Sequence, residues 1–406
     1  MRVVVVGAGL GGLAAGIAVR RAGHEVMVLE RAGELRETGA GIGVLPNGVL
    51  ALEALGLGGP VRAMATPSDI IGGMRDRYGM SLLTVDLAAV AARCGAPVAV
   101  VRRTWLHRLL AAELPAGTVR TATAVRALHE HDGRVHLAVD TEIEPADAVV
   151  IADGAASTLR ATLFPGHPGL VGSGEHAARA VAPVAPPGVE LAPGEMLDHR
   201  TGDRFGCLPM AGGGVYWYST WQVPAPAEPQ ARHRWLLARR GDWHPCAAAL
   251  IGATAATDVH VVETAQLTRP LPTFAVGRVA LLGDAAHAMT PDLGQGGCQA
   301  FEDAVALGTA LSGTGPTDAA GALRRYDARR RPHTSTLQRQ TRRTHRIMTL
   351  TGSRARARDA TFRLVPRALA TRTLARQFRF EPTDGPVRAA HARRGEPGAG
   401  DEQLAL

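Results

Sequence analysis

The chain contains no lysine: all 45 basic side chains among its 406 residues are arginines. That absence excludes lysine Schiff-base chemistry and a Walker-type phosphate loop, which needs its own lysine. Cysteine is scarce too. Cys94, Cys207, Cys246 and Cys298 are scattered, with no Cys-x-x-Cys pair. This argues against a zinc site or a disulfide framework, predicts no metal, and suits a reducing, cytoplasmic location. No apolar run approaches the ~20 residues that span a bilayer. Met1-Arg2 and the four valines behind them look superficially like a secretory leader. The glycine-rich run that follows at once predicts a first core strand instead.

Charge is unevenly placed. Residues 321–380 hold 17 arginines against two acids, Asp327 and Asp359, while the whole chain carries a net +8. Such a block suits nucleic acid, an acidic partner or a membrane surface, or else a solvated helical face with some arginines paired to the main body. Aromatics are sparse there, so no stacking platform for single strands is evident. The balance favours the solvated face and disfavours nucleic acid. Residues 381–406 are rich in Gly, Pro and charge and read as a mobile tail. At 46% hydrophobic, the remainder is large enough for two interleaved domains.

Three glycine-bearing segments carry the chemistry. Residues 3–6 form a short buried-strand pattern, followed by Gly7-Ala8-Gly9-Leu10-Gly11-Gly12, an alanine-rich helix and a second strand ending at Glu30. This is a dinucleotide-binding βαβ unit. Gly7 permits the turn, Gly9 lets the backbone approach a pyrophosphate, Gly12 allows close packing, and Glu30 is placed for ribose hydroxyls. The second segment is Asp153-Gly154, behind an apolar strand at residues 148–152; Ser157 could equally be a plain helix cap. The third runs from Gly283-Asp284 through Pro291 to Gly294-Gln295-Gly296-Gly297, ahead of a helical pattern at 300–311. Its carboxylate can accept from a ribityl or ribose hydroxyl. Its glycines clear a helix N-terminus, which favours an electron-rich ligand.

In this order the segments resemble the single-component, FAD-dependent aromatic hydroxylases, the class A family shaped like p-hydroxybenzoate hydroxylase, with some likeness to its urate hydroxylase branch. The resemblance covers roughly residues 1–350. It implies an α/β fold, in which a Rossmann-like FAD/NAD(P)-binding domain (1–65, 101–165, 266–350) interleaves with a β-sheet substrate domain (66–100, 166–265). An arginine-rich helical segment (351–380) follows. It adds Arg31, Gly41 and Arg103 to the expected FAD-binding set, and places the Pro291 backbone beside the flavin ring. Arg204 and Tyr216, on strand-like runs of the substrate half, match an arginine and a tyrosine that hold polar heteroaromatic substrates in the urate branch. An arginine fork suits a carboxylate or enolate. His287, Glu302 and Asp303 read as structural partners, Cys298 as an apolar filler, and no substrate base stands out.

The implied activity is hydroxylation of a small electron-rich aromatic or heteroaromatic compound. NADH or NADPH would reduce non-covalent FAD, and O2 would react through a C4a-hydroperoxyflavin. Alternatives are epoxidation by the same species, a reductase of the geranylgeranyl-reductase type, or a flavin-bound regulator gripping nucleic acid. A flavin halogenase is disfavoured, because that family needs a lysine and a Trp-x-Trp-x-Ile-Pro signature. Here Trp217-Tyr218-Ser219-Thr220-Trp221 has the wrong spacing. The assembly is expected to be a monomer or homodimer.

Overall fold

The valines of the first strand, Arg2–Val6, are buried on both faces. Such a strand belongs in the middle of a mostly parallel sheet covered by helices. The computed structural model, which describes residues 1–35, 40–66, 71–139 and 142–380, places it there. It lies between Glu25–Leu29 and Ala148–Ile151, with parallel register to both. Val119–Arg120 and Val279–Leu281 flank these, and Ala275–Val276 closes the edge antiparallel. The sheet is thus assembled from segments far apart in sequence. Helices Leu10–Arg21 and Gly296–Leu311 pack against one another, with Gly308 meeting Ala18. The small residues on both helices permit that approach.

A second sheet has seven strands among the described residues. They run in the order His260–Leu267, Leu170–Ala182, Val215–Trp221, Arg204–Pro209, Gly194–Leu197, Ile71–Asp76, Ser81–Asp86. Strand alternation sorts its two faces. Ala178, Ala180, Ala182, Phe205, Cys207, Trp217 and Trp221 enter an apolar core under helices Pro229–Arg240 and Pro245–Gly252. The alternate residues, including Glu175, Arg179, Glu195, Arg204, Tyr216 and Tyr218, face the other way. A two-stranded ribbon, Gly41–Val44 with Ala99–Arg102, covers one end of that face through Ala40, Leu45, Val98 and Val100.

Strands expected at 177–184, 214–223 and 258–263 are present with shifted ends, as Leu170–Ala182, Val215–Trp221 and His260–Leu267. A three-stranded sheet, Val125–His131, Arg134–Val139 and Glu142–Ala146, carries no motif and escaped sequence reasoning. The arginine-rich block forms three helices: Ala319–Met348, Gly352–Arg363 and Arg367–Gln377. Some of its arginines pair with acids, Arg331 with Asp327 and Arg367 with Asp86, and others are exposed. The tail from residue 381 lies outside the described residues. No helix among the described residues is long and apolar enough to cross a membrane.

Candidate active site

The first glycine run forms a backbone cradle. Gly9 precedes the Leu10–Arg21 helix and nothing lies within 4 Å of where its side chain would be. Gly12 is the opposite case: a Cβ there would stand 1.9 Å from the Gly7 carbonyl oxygen. Glu30 ends the second strand, and its carboxylate accepts from the amides of Ala8 (2.8 Å) and Ala32 (2.9 Å). The acid is thereby fixed beside the glycine turn.

Asp153 and Gly154 follow the neighbouring strand. Ser157 does cap the next helix, accepting from the Arg160 amide at 3.0 Å. The capping and ligand readings therefore coexist, because the Asp153 Oδ1 atom is buried without a hydrogen-bond partner among the described residues. Burial pushes this carboxyl up, while Ser157, Arg160 and Arg31 oppose the shift. Arg31 is thus placed near Asp153. Gly283 and Asp284 come from the last parallel strand, and Asp284 lies alongside Gly296, at whose Cβ position its Oδ1 would be 3.9 Å away. Arg103 opens the helix Arg103–Ala112, its amide bonded to the Ala40 carbonyl. Burial pushes its guanidinium down, against the opposing charge of Asp284. An orphaned buried acceptor, a glycine turn at a helix N-terminus and a second carboxylate at the Gly296 end fit the diphosphate, ribose and ribityl groups of FAD.

The loop from Pro291 to Gly297 is clamped from two sides through Asp292. Arg204 Nη1 lies 3.0 Å from its Oδ1 and His345 Nδ1 lies 3.2 Å from its Oδ2. Pro291 and Gly294 are exposed at the turn, and Gly297 approaches Ile42 of the ribbon. Arg204, expected to offer a fork to substrate, has that fork engaged by the protein. Its Nη2 bonds both Glu175 oxygens at 2.9 and 2.7 Å, Nη1 meets Glu195 and Asp292, and Nε donates to Thr220. All its donors are engaged by the protein, and the side chain is 3% exposed. Although burial pushes the guanidinium down, Glu195, Glu175 and Asp292 together hold it above its ordinary value. Glu175, Asp292 and His345 bring ligand atoms within 4.8 Å of one another, and Arg204 is the cation at their side.

Tyr216 lies on the same sheet face as Arg204. Its ring lies against Gly41, at whose Cβ position it would be 2.5 Å away, so it touches the ribbon. Among the described residues its hydroxyl makes no hydrogen bond. Tyr218, two residues on, lies flat over Gly206 and donates to Glu195 at 3.0 Å. The tyrosine rings are 6.2 Å apart. Sequence reasoning missed Tyr218, the three carboxylates around Arg204, and Arg179. Strand alternation would have put all but Asp292 on the same face, given the strand ends.

A second buried network underlies the glycine loop. His287 Nε2 meets Asp303 at 2.6 Å, and Arg330 bonds Asp303 and Glu302 at 2.6 and 2.8 Å. Asn47 and Gln295 join it through Glu302 and one another. These are the structural partners expected of His287, Glu302 and Asp303. Cys298 is buried, its thiol pushed up to about 12 by burial, as suits an inert filler.

The His345–Asp292 pair carries a pH signature. Burial pushes the imidazolium down, but the hydrogen bond and charge of Asp292 outweigh it, raising His345 above its ordinary 6.5. A raised histidine stabilises the fold fully below its unfolded value, and that contribution is lost as pH rises through the folded one. The stability gap between the native protein and His345→Gln is therefore expected to shrink as pH climbs above 6.5. Urea midpoints at several pH values check this; a gap that widens would sink it.

With this geometry in place, comparison with known proteins is direct. A family model described as an FAD binding domain matches residues 1–341. The chain is 34% identical over 372 residues to a 3-amino-4-hydroxybenzoate 2-monooxygenase of Streptomyces platensis, covering 88% of this chain and 91% of the relative. It is 33% identical over 350 residues to an FAD-dependent urate hydroxylase of Klebsiella pneumoniae, covering 81% and 86%. Its structure matches that of Klebsiella pneumoniae HpxO complexed with FAD and uric acid, with a TM-score of 0.83 and 28% identity over 93% of this chain and 96% of that one. The chain belongs to the FAD-binding class A flavin hydroxylases and is an FAD-dependent aromatic monooxygenase.

Proposed function

We propose that this enzyme hydroxylates a small electron-rich phenol or heteroarene, bound on the inner face of the seven-stranded sheet, with electrons from NADH or NADPH. The observation that carries this is the opposition of two surfaces. The Tyr216 ring packs against Gly41 of the ribbon and its hydroxyl has no hydrogen-bond partner among the described residues, while the glycine loop is pinned to the same sheet face through Asp292 and Arg204. We assign residues 1–65, 101–165 and 266–350 to the cofactor half and 66–100 and 166–265 to the substrate half. Four free cysteines support a cytoplasmic setting. Two of the relatives are named for compact, oxygen-bearing rings, a hydroxybenzoate and urate.

Bound FAD supplies the hydride acceptor and the O2 chemistry that delivers an electrophilic oxygen. The chain's own residues position and exclude. Tyr216 orients a ring oxygen by hydrogen bonding. Arg204 holds Asp292, hence the Pro291–Leu293 turn, in a fixed relation to the floor. The N-terminus of the Gly296–Leu311 helix would favour negative charge on a group held there. Leu208 and Val181, beside Tyr216, help to keep water out.

Turnover of 3-amino-4-hydroxybenzoate, urate and simple phenols with NADH or NADPH under 18O2 tests the proposal. One labelled oxygen per product molecule is expected. Consumption of NAD(P)H under argon, with a reduced organic product, would replace it with a reductase activity.

A further inference from the structure

Arg179 is the cation that the site leaves over. It lies on the Leu170–Ala182 strand, in register with Tyr218 and next but one to Val181, the partner of Tyr216. Its neighbours Ala178 and Ala180 point into the tryptophan core. Arg179 therefore points to the opposite face, with Tyr216 and Tyr218. Tyr216 and Arg103 both lie within its electrostatic reach. The side chain is half-buried, yet among the described residues no hydrogen bond or ion pair engages it.

This is unusual beside the other arginines of the same sheet and its covering helix. Arg204 is bound by three carboxylates, and Arg240 by Asp203, Ser219 and the Thr220 carbonyl. A half-buried guanidinium without a counter-ion is costly, and a second arginine nearby raises the cost. The acids of this face cannot relieve it. Glu175 and Asp292 are held by Arg204, and Glu195 by Arg204 and Tyr218. An anion from outside the chain relieves it, and the fork geometry suits two oxygens on one carbon.

Resting on the monooxygenase reading above, we propose that Arg179 is the anion anchor of the cleft: its guanidinium holds a carboxylate or ring oxyanion of the aromatic substrate beside Tyr216. Substrate selection then works by charge as well as by shape. An acid is accepted and its uncharged amide is not, because the amide leaves the guanidinium unpaired. The role that sequence suggested for Arg204 passes to Arg179, on the strand beyond Tyr216.

The test is an equilibrium titration of the FAD-loaded enzyme, followed by flavin absorbance, with 3-amino-4-hydroxybenzoate and with 3-amino-4-hydroxybenzamide. Native enzyme is expected to prefer the acid at least about tenfold, in the range of one charge-assisted pair. Arg179→Gln is expected to reduce that ratio to near one, chiefly by weakening the acid, and Arg179→Lys to restore part of it. KM for NADH and NADPH should stay unchanged in both variants. Three results would overturn the proposal. The native enzyme could show no preference for acid over amide, Arg179→Gln could weaken both probes equally, or the variant could raise KM for the nicotinamide nucleotide. The last would assign Arg179 to a phosphate instead. Because the acid–amide titration itself needs no turnover, a failed oxygen-labelling experiment would leave that comparison legible.

Discussion

Gly12→Ala is expected to purify colourless. A methyl group at this position would lie 1.9 Å from the Gly7 carbonyl oxygen and 3.0 Å from its carbon. Neither atom belongs to a flexible side chain, so the turn itself must move. Overpacking costs about 1–3 kcal/mol even where side chains can yield. If, as proposed, this turn receives the FAD pyrophosphate, displacing it by that much is expected to weaken FAD about 10–100-fold. Gly9→Ala is the informative partner, because nothing among the described residues lies within 4 Å of its Cβ position. That variant is expected to keep the thermal midpoint of the apoprotein while still losing affinity for FAD. Flavin absorbance after gel filtration and melting of the apoproteins separate the two effects. A yellow Gly12→Ala protein with native affinity would refute the packing account.

The second large effect is expected at Arg204. Replacement by Met would leave Glu175, Glu195 and Asp292 buried beside one another without their shared cation, with His345 and the Tyr218 hydroxyl as remaining partners. Removing one partner of a buried ion pair costs about 3–5 kcal/mol, because the other charge stays desolvated. The stranded carboxylates then favour protonation, so the deficit is expected to be smaller at pH 5 than at pH 8. Urea unfolding of the native protein and Arg204→Met at both pH values measures it. Arg204→Lys keeps a charge but not the planar fork, and should fall between. Loss of activity without loss of stability would contradict the view of Arg204 as a clamp and return it to direct substrate contact.

The half proposed to hold the cofactor was legible in the chain because glycine, aspartate and hydrophobic runs there serve local geometry. The turn after residues 3–6, the acid at Glu30 and the Gly283-Asp284 corner each follow from a strand–turn–helix pattern within some 25 residues. The substrate half was less legible, for a physical reason. Its ionic cluster joins Glu175, Glu195, Arg204, Asp292 and His345, which meet only after five separate segments have packed. No spacing rule links them. Arg204 and Arg179 look alike in sequence, and what distinguishes them is the company each keeps. The Val125–His131 to Ala146 sheet was missed because alternation of polar and apolar residues in short strands resembles ordinary loop composition.

Tyr218 rests directly over a carbon atom that bears no side chain. A Cβ on Gly206 would come within 2.2 Å of the ring. Any larger residue there must displace the tyrosine and with it the hydrogen bond to Glu195. The orientation of a buried acid is thus set by the absence of a single carbon atom.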